Sequence, residues 1–127
     1  MHGPAYGGSK AAVDKFANDM AVDFRPYHVA CVSIWMGLLR TERTLKLMET
    51  EPDKYGGIES MSESPEFTGR VINALYDDPG LMEKSGQILV SAEEALHYGV
   101  KDIDGRQPPS PTSFLGSPAQ ANPAIVE

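Results

Sequence analysis

The stretch that most limits how this chain can fold is a helical repeat near its start. Val13, Phe16, Ala17, Met20, Ala21 and Phe24 recur at the i, i+3, i+4, i+7 spacing that gathers apolar side chains on one face of an α-helix. Asp14, Lys15, Asn18, Asp19 and Asp23 fill the other face. The spacing predicts a helix over 9–24, stopped near Arg25 by Pro26, whose ring cannot continue the hydrogen-bond ladder. Gly7, Gly8, Ala11 and Ala12 keep its beginning slim, so that a backbone or a flat ligand can come close. At its head stand Tyr6 and Lys10, four residues apart and therefore on one face. A cation within about 4–6 Å of a phenol favours phenolate, which moves a group that ordinarily titrates near pH ~10 towards acid–base work at neutrality. Lysine is so common that roughly one Tyr in fifteen to twenty has one at i+4 by chance. The pair gains meaning only from the residues that come after it in the chain.

Val29-Ala30-Cys31-Val32-Ser33-Ile34-Trp35 is a nearly continuous apolar run rich in β-branched residues, the pattern of a strand covered on both faces, and Met36-Gly37 ends it. A loop and short helix over 38–50 carry Arg40, Thr41, Glu42, Arg43 and Thr44. The segment 51–63, with Pro52, Gly56, Gly57 and several serines, offers little to bury and is expected to be mobile. Ser64 as N-cap and Pro65 at the first helical position open a second helix, with Phe67, Val71, Ile72 and Leu75 as its buried stripe and Asp77-Asp78-Pro79-Gly80 as its end. Gly86-Gln87-Ile88-Leu89-Val90 predicts a second strand, and Ser91-Ala92-Glu93-Glu94 a capping box leading to a short helix that Gly99 closes. Beyond Gly105 the chain is rich in Pro, Ser and Ala, and 107–127 is expected to be extended or disordered. Two strands with a helical crossover make a right-handed parallel βαβ unit, too thin a platform to stand alone. The pattern fits one end of a larger α/β sheet.

The chain has 127 residues, the size of one domain, and a net charge of −7 with no Lys/Arg cluster to offset it. That balance argues against a nucleic-acid or anionic-membrane surface. No apolar run approaches the ~20 residues of a membrane span, and the first residues carry no signal-peptide pattern. The single cysteine, Cys31, fits a reducing compartment and reads as buried and inert. A soluble, cytoplasmic protein is expected. His2, His28 and His97 share no ligand spacing, so no metal site is expected. Gly3 to Lys10 imitates the gap of a phosphate-binding Walker loop, but Lys and Ser stand in the reverse order and no strand precedes them. No G-x-S-x-G elbow supports hydrolase chemistry, and Asp102-Ile103-Asp104-Gly105 reads as a plain turn.

Tyr6-x-x-x-Lys10 on a helix, a buried strand ending Ser33-Ile34-Trp35-Met36-Gly37, and Thr41 four residues past that glycine together resemble the short-chain dehydrogenase/reductase family over about residues 1–106. Ala11-Ala12-x-Asp14-Lys15, Cys31-Val32-Ser33 and Tyr98 to Arg106 look most like one branch of it. The resemblance implies the C-terminal portion of a Rossmann-type, doubly wound parallel sheet, namely its last two strands with flanking helices. It implies an oxidoreductase that interconverts a small-molecule carbonyl and alcohol with NAD or NADP. Tyr6 matches the acid/base, and Lys10 the residue that activates it and holds the nicotinamide ribose. Gly37, Leu39 and Thr41 match the turn that contacts the nicotinamide carboxamide, and 38–63 the substrate-binding loop. The helix bearing Tyr6 matches half of a subunit interface, so a homo-oligomer is implied.

Met36 stands where the family turn usually has proline. More consequential, neither G-x-x-x-G-x-G nor G-x-G-x-x-G occurs in the chain. The family's glycine-rich loop, its NAD/NADP selector and its catalytic serine all precede the tyrosine. Without them the dinucleotide lacks its pyrophosphate anchor, and the oxyanion lacks a donor typically worth about 2.7–4 kcal/mol of barrier. The chain alone is therefore expected to be inactive or nearly so. A non-enzymatic fragment that self-associates or captures a partner through the exposed helix is the alternative.

Overall fold

The structure is a computed structural model in which residues 3–120 are described. In chain order the elements are α1 (Pro4–Phe24), a 3-10 turn (Arg25–Tyr27), β1 (Ser33–Trp35), β2 (Leu38–Leu39), α2 (Glu42–Thr50), α3 (Pro52–Tyr55) and a second 3-10 stretch (Gly56–Met61). There follow β3 (Ser62–Glu63), α4 (Pro65–Tyr76), α5 (Leu81–Lys84), β4 (Ile88–Val90), α6 (Ser91–Tyr98) and α7 (Thr112–Leu115). The architecture is mixed α/β. Its short strands form two pairs, β1 beside β4 and β2 parallel to β3. The described residues divide into two compact units: 3–34 with 78–89 and 118–120, and Trp35–Asp77 with Val90–Ser117.

In the first unit α1 begins at Pro4, five residues ahead of the predicted start, because a proline at the first helical position has its φ already set and lacks only an amide the helix would leave unpaired. The face it buries is not the one the apolar series predicts. Ala17 and Ala21 are buried, whereas Val13, Phe16, Met20 and Phe24 are exposed. Asp14 accepts a hydrogen bond from the Ser33 hydroxyl at 2.6 Å, and the Asn18 amide donates to the Gly86 carbonyl. The seated stripe is thus Asp14, Ala17, Asn18 and Ala21, a helical series rotated from the predicted one. Gly86 makes the close approach possible. Its φ is +87°, and a Cβ there would lie 3.3 Å from that of Ala21. The strand expected over 29–35 shortens to three residues. The Cys31 amide donates to the Ser85 hydroxyl and the Gly86 amide donates to the Cys31 carbonyl, so the backbone before Ser33 is engaged by a turn, with the Ser33 amide donating to the Gln87 carbonyl at 3.1 Å. Cys31 is half-buried, not buried.

In the second unit α4 packs on α6. Phe67, Val71, Leu75, Val90, Ala92 and Ala95 are buried, while Ile72, expected in the same stripe, is 50% exposed. Ser64 caps α4 as predicted, accepting from the Phe67 amide at 3.2 Å. Ser91 does not cap α6. It is the first helical residue, and its hydroxyl is directed to Glu63 instead. Gly99 closes α6 in the left-handed region at φ +67°. After Gly105 the chain keeps specific contacts: Pro108 and Pro111 are buried, Ser110 and Thr112 donate to Glu93 at 2.7 and 2.9 Å, and α7 adds one turn. Of the tail expected to be extended or disordered, 121–127 lie outside the described residues.

Candidate functional site

Tyr6 and Lys10 occupy the first two turns of α1, placed there by Pro4 and by the Gly7 amide bonding back to the Gly3 carbonyl at 3.1 Å. The Lys10 Nζ stands 5.5 Å from the centre of the Tyr6 ring, inside the range where a cation is attracted to an aromatic face. Tyr6 is 49% exposed. Space beside the pair is open, since a Cβ added at Gly7 or Gly8 would meet nothing within 4 Å. A flat molecule can therefore reach phenol and ammonium together.

Gly37, Leu39 and Thr41 belong to the second unit: Gly37 directly precedes β2, Leu39 ends it, and Thr41 stands two residues beyond it. Leu39 lies in register with Glu63 on β3, and the Arg40 amide donates to the Glu63 carbonyl at 2.8 Å. Thr41 is the N-cap of α2, its hydroxyl accepting from the Thr44 amide at 3.3 Å. Gly37 has a reason to be glycine that the sequence does not display. A Cβ there would fall 2.6 Å from the Glu63 Oε2, closer than such contacts occur.

Two buried carboxyls, neither marked in the sequence, anchor this unit. Glu63 is 1% exposed; its Oε1 accepts from the hydroxyls of Thr68 (3.3 Å) and Ser91 (3.4 Å), and its Oε2 has no hydrogen-bond partner among the described residues. Burial pushes the Glu63 carboxyl above the usual carboxylate range, and the charge of Asp102 adds to this; the Gly37 amide and the two hydroxyls pull it back without cancelling the rise. Asp102, with a side chain 1% exposed, accepts from the Ser64 amide (2.8 Å), the Ser64 hydroxyl and the Ile103 amide (2.7 Å), and pairs with Arg40 at 3.0 Å. Burial alone would raise its carboxyl, but the Ser64 groups, the Ile103 amide and the Arg40 charge outweigh it and hold it below the usual range. Arg40 also reaches Asp104 at 3.0 Å and the Ser62 carbonyl at 3.0 Å, while Arg106 beside Asp104 holds that carboxyl down to about 2. An acidic residue in a Ser-rich, Pro-flanked stretch reads as exposed. In the fold Glu63 is enclosed by the pairing of β3 with β2 and by Thr68 of α4 and Ser91 of α6.

Between the N-termini of α2 and α4, the second unit carries an open groove of about 590 Å³ lined by Arg40, Thr41, Arg43, Ser64, Pro65 and Ile103 among others. It borders part of the stretch expected to bind substrate. Among the described residues no cluster of His, Cys, Asp and Glu could hold a metal ion, and no helix is long and apolar enough to cross a membrane.

No family model matches the chain. Two curated relatives do. Dehydrogenase/reductase SDR family member 1 of Mus musculus is 41% identical over 113 residues and its Homo sapiens counterpart 36% over 113, each match taking in 84% of this chain and 36% of the relative. The chain thus spans little more than a third of the length of the curated relatives it matches. Identity at this level over 84% of the chain supports a short-chain dehydrogenase/reductase fragment.

Proposed function

We propose that the chain is the C-terminal portion of a Rossmann-type oxidoreductase that interconverts a small carbonyl compound and its alcohol, and that it is inactive or nearly so by itself. The Lys10 ammonium beside the exposed Tyr6 ring carries this reading. On it, Tyr6 Oη exchanges a proton with the substrate oxygen. Lys10 binds the nicotinamide ribose, and Gly37, Leu39 and Thr41 present backbone and hydroxyl groups to the carboxamide. NAD or NADP, when bound, supplies or accepts the hydride. The chain's own contribution is to place the proton donor and bind half of the cofactor, in a cytoplasmic setting that its single cysteine fits. The glycine-rich phosphate loop is absent from the sequence, which supports low activity in isolation.

The exposed Val13, Phe16, Met20 and Phe24 on α1 favour a second reading, in which the fragment self-associates through that helix without catalysis. Sedimentation and a 340 nm assay with NADH and NADPH separate the two. Tight dimers without any cofactor response support assembly alone. Weak cofactor binding without sustained turnover supports the oxidoreductase fragment, and turnover abolished by Tyr6→Phe overturns the claim of inactivity.

A further inference from the structure

We propose that Glu63 is the positioning residue of the Gly37 turn: its buried carboxyl, standing where a Cβ on Gly37 would fall, fixes the backbone that leads into β2. The consequence for cofactor rests on the proposed nicotinamide-facing role of Gly37. The packing itself does not.

Three observations meet at this carboxyl. Its backbone is tied to the strand that leaves the turn, through the Leu39–Glu63 register and the hydrogen bond from the Arg40 amide to the Glu63 carbonyl. Its side chain then reaches back along β2, so that a Cβ on Gly37 would stand 2.6 Å from Oε2 and 3.2 Å from the carboxyl carbon. Its other oxygen is held by one hydroxyl from α4, Thr68, and one from α6, Ser91. Glu63 therefore links the turn to both helices of the unit's core. An apolar residue would fill the same space without the cost of burying a polar atom that lacks a partner. A carboxyl here makes sense if its oxygens act on the turn, and the Gly37 amide does act on its charge. The charged groups nearby are Asp102, which raises its proton affinity, and Arg40, which is engaged by Asp102, Asp104 and the Ser62 carbonyl; α4 and α6 offer it hydroxyls.

Nitrogen–proton NMR of the Gly37 amide in the labelled 127-residue chain tests this. In the wild type that resonance is expected to shift with pH in step with the Glu63 carboxyl, and in Glu63→Gln, which keeps shape and fold, to lose the shift. Gly37→Ala should lower the melting temperature, and Glu63→Ser, which removes the clashing oxygen, should recover much of the loss. A Gly37 amide that titrates alike in wild type and Glu63→Gln overturns the proposal, as does a Gly37→Ala loss of equal size with Glu63 or Ser at position 63. Adding NADH tests the reading beneath it. If Gly37 tracks Glu63 but ignores NADH, the positioning role stands and the nicotinamide-facing role of the turn falls. If Gly37 responds to NADH but not to Glu63, the reverse holds.

Discussion

Glu63 and Asp102 lie in one unit, and their surroundings push their proton affinities in opposite directions. Glu63 binds its proton more tightly folded than unfolded, so its contribution to stability is full below the unfolded value near 4.5 and is lost as pH rises through the raised folded value. Asp102 binds its proton less tightly when folded. Its contribution is present above the unfolded value near 3.8 and is lost as pH falls through the lowered one. Denaturant melts of two variants should separate these effects. Glu63→Gln is expected to gain on wild type at pH 8, because the amide carries no charge to bury, with the gain shrinking towards pH 4.5. Asp102→Ala should cost about 3–5 kcal/mol at pH 7 by leaving the buried Ser64 donors without an acceptor and taking one of two carboxylates from Arg40, with the deficit shrinking as pH falls below 4. At this scale the sequence displays Tyr6 and Lys10 well, because helical spacing alone makes them neighbours. It hides Glu63 and Asp102, whose burial depends on partners far along the chain.

Among the elements, local signals serve best where they depend on a few adjacent residues. Ser64-Pro65 starts α4 and Gly99 ends α6 because capping chemistry and left-handed geometry are settled within one turn of helix. The face a helix buries is a tertiary matter, and α1 shows the difference. Its existence and its end near Arg25 come from the sequence, yet the seated stripe is Asp14, Ala17, Asn18 and Ala21, fixed by two polar anchors and by close approach to Gly86. The β2–β3 pair is equally hidden, since two-residue strands carry no period to read. A pair of substitutions checks the rotated face by thermal melting. Gly86→Ala should cost about 1 kcal/mol or more, being strained at φ +87° and tight against Ala21. Phe16→Ser, at a position 61% exposed, should change stability by less than about 0.5 kcal/mol.

For the whole molecule, the likeness to short-chain dehydrogenase/reductases covers 84% of this chain and 36% of the relatives. The dyad on α1 and the Gly37–Thr41 stretch lie in different units, each with its own internal order. On the proposed reading the chain holds the proton-transfer end of the reaction and lacks the phosphate cradle. That reading predicts a protein able to touch nicotinamide weakly through Lys10 and Tyr6 without turning it over. Saturation-transfer NMR from the protein to the nicotinamide protons of NADH tests it most directly, on wild type, Lys10→Met and Tyr6→Phe. Transfer in the wild type that falls sharply in Lys10→Met and is altered in Tyr6→Phe is the expected result. Absence of transfer in the wild type, or equal transfer in all three proteins, would contradict the assignment of this pair as the nicotinamide-facing dyad.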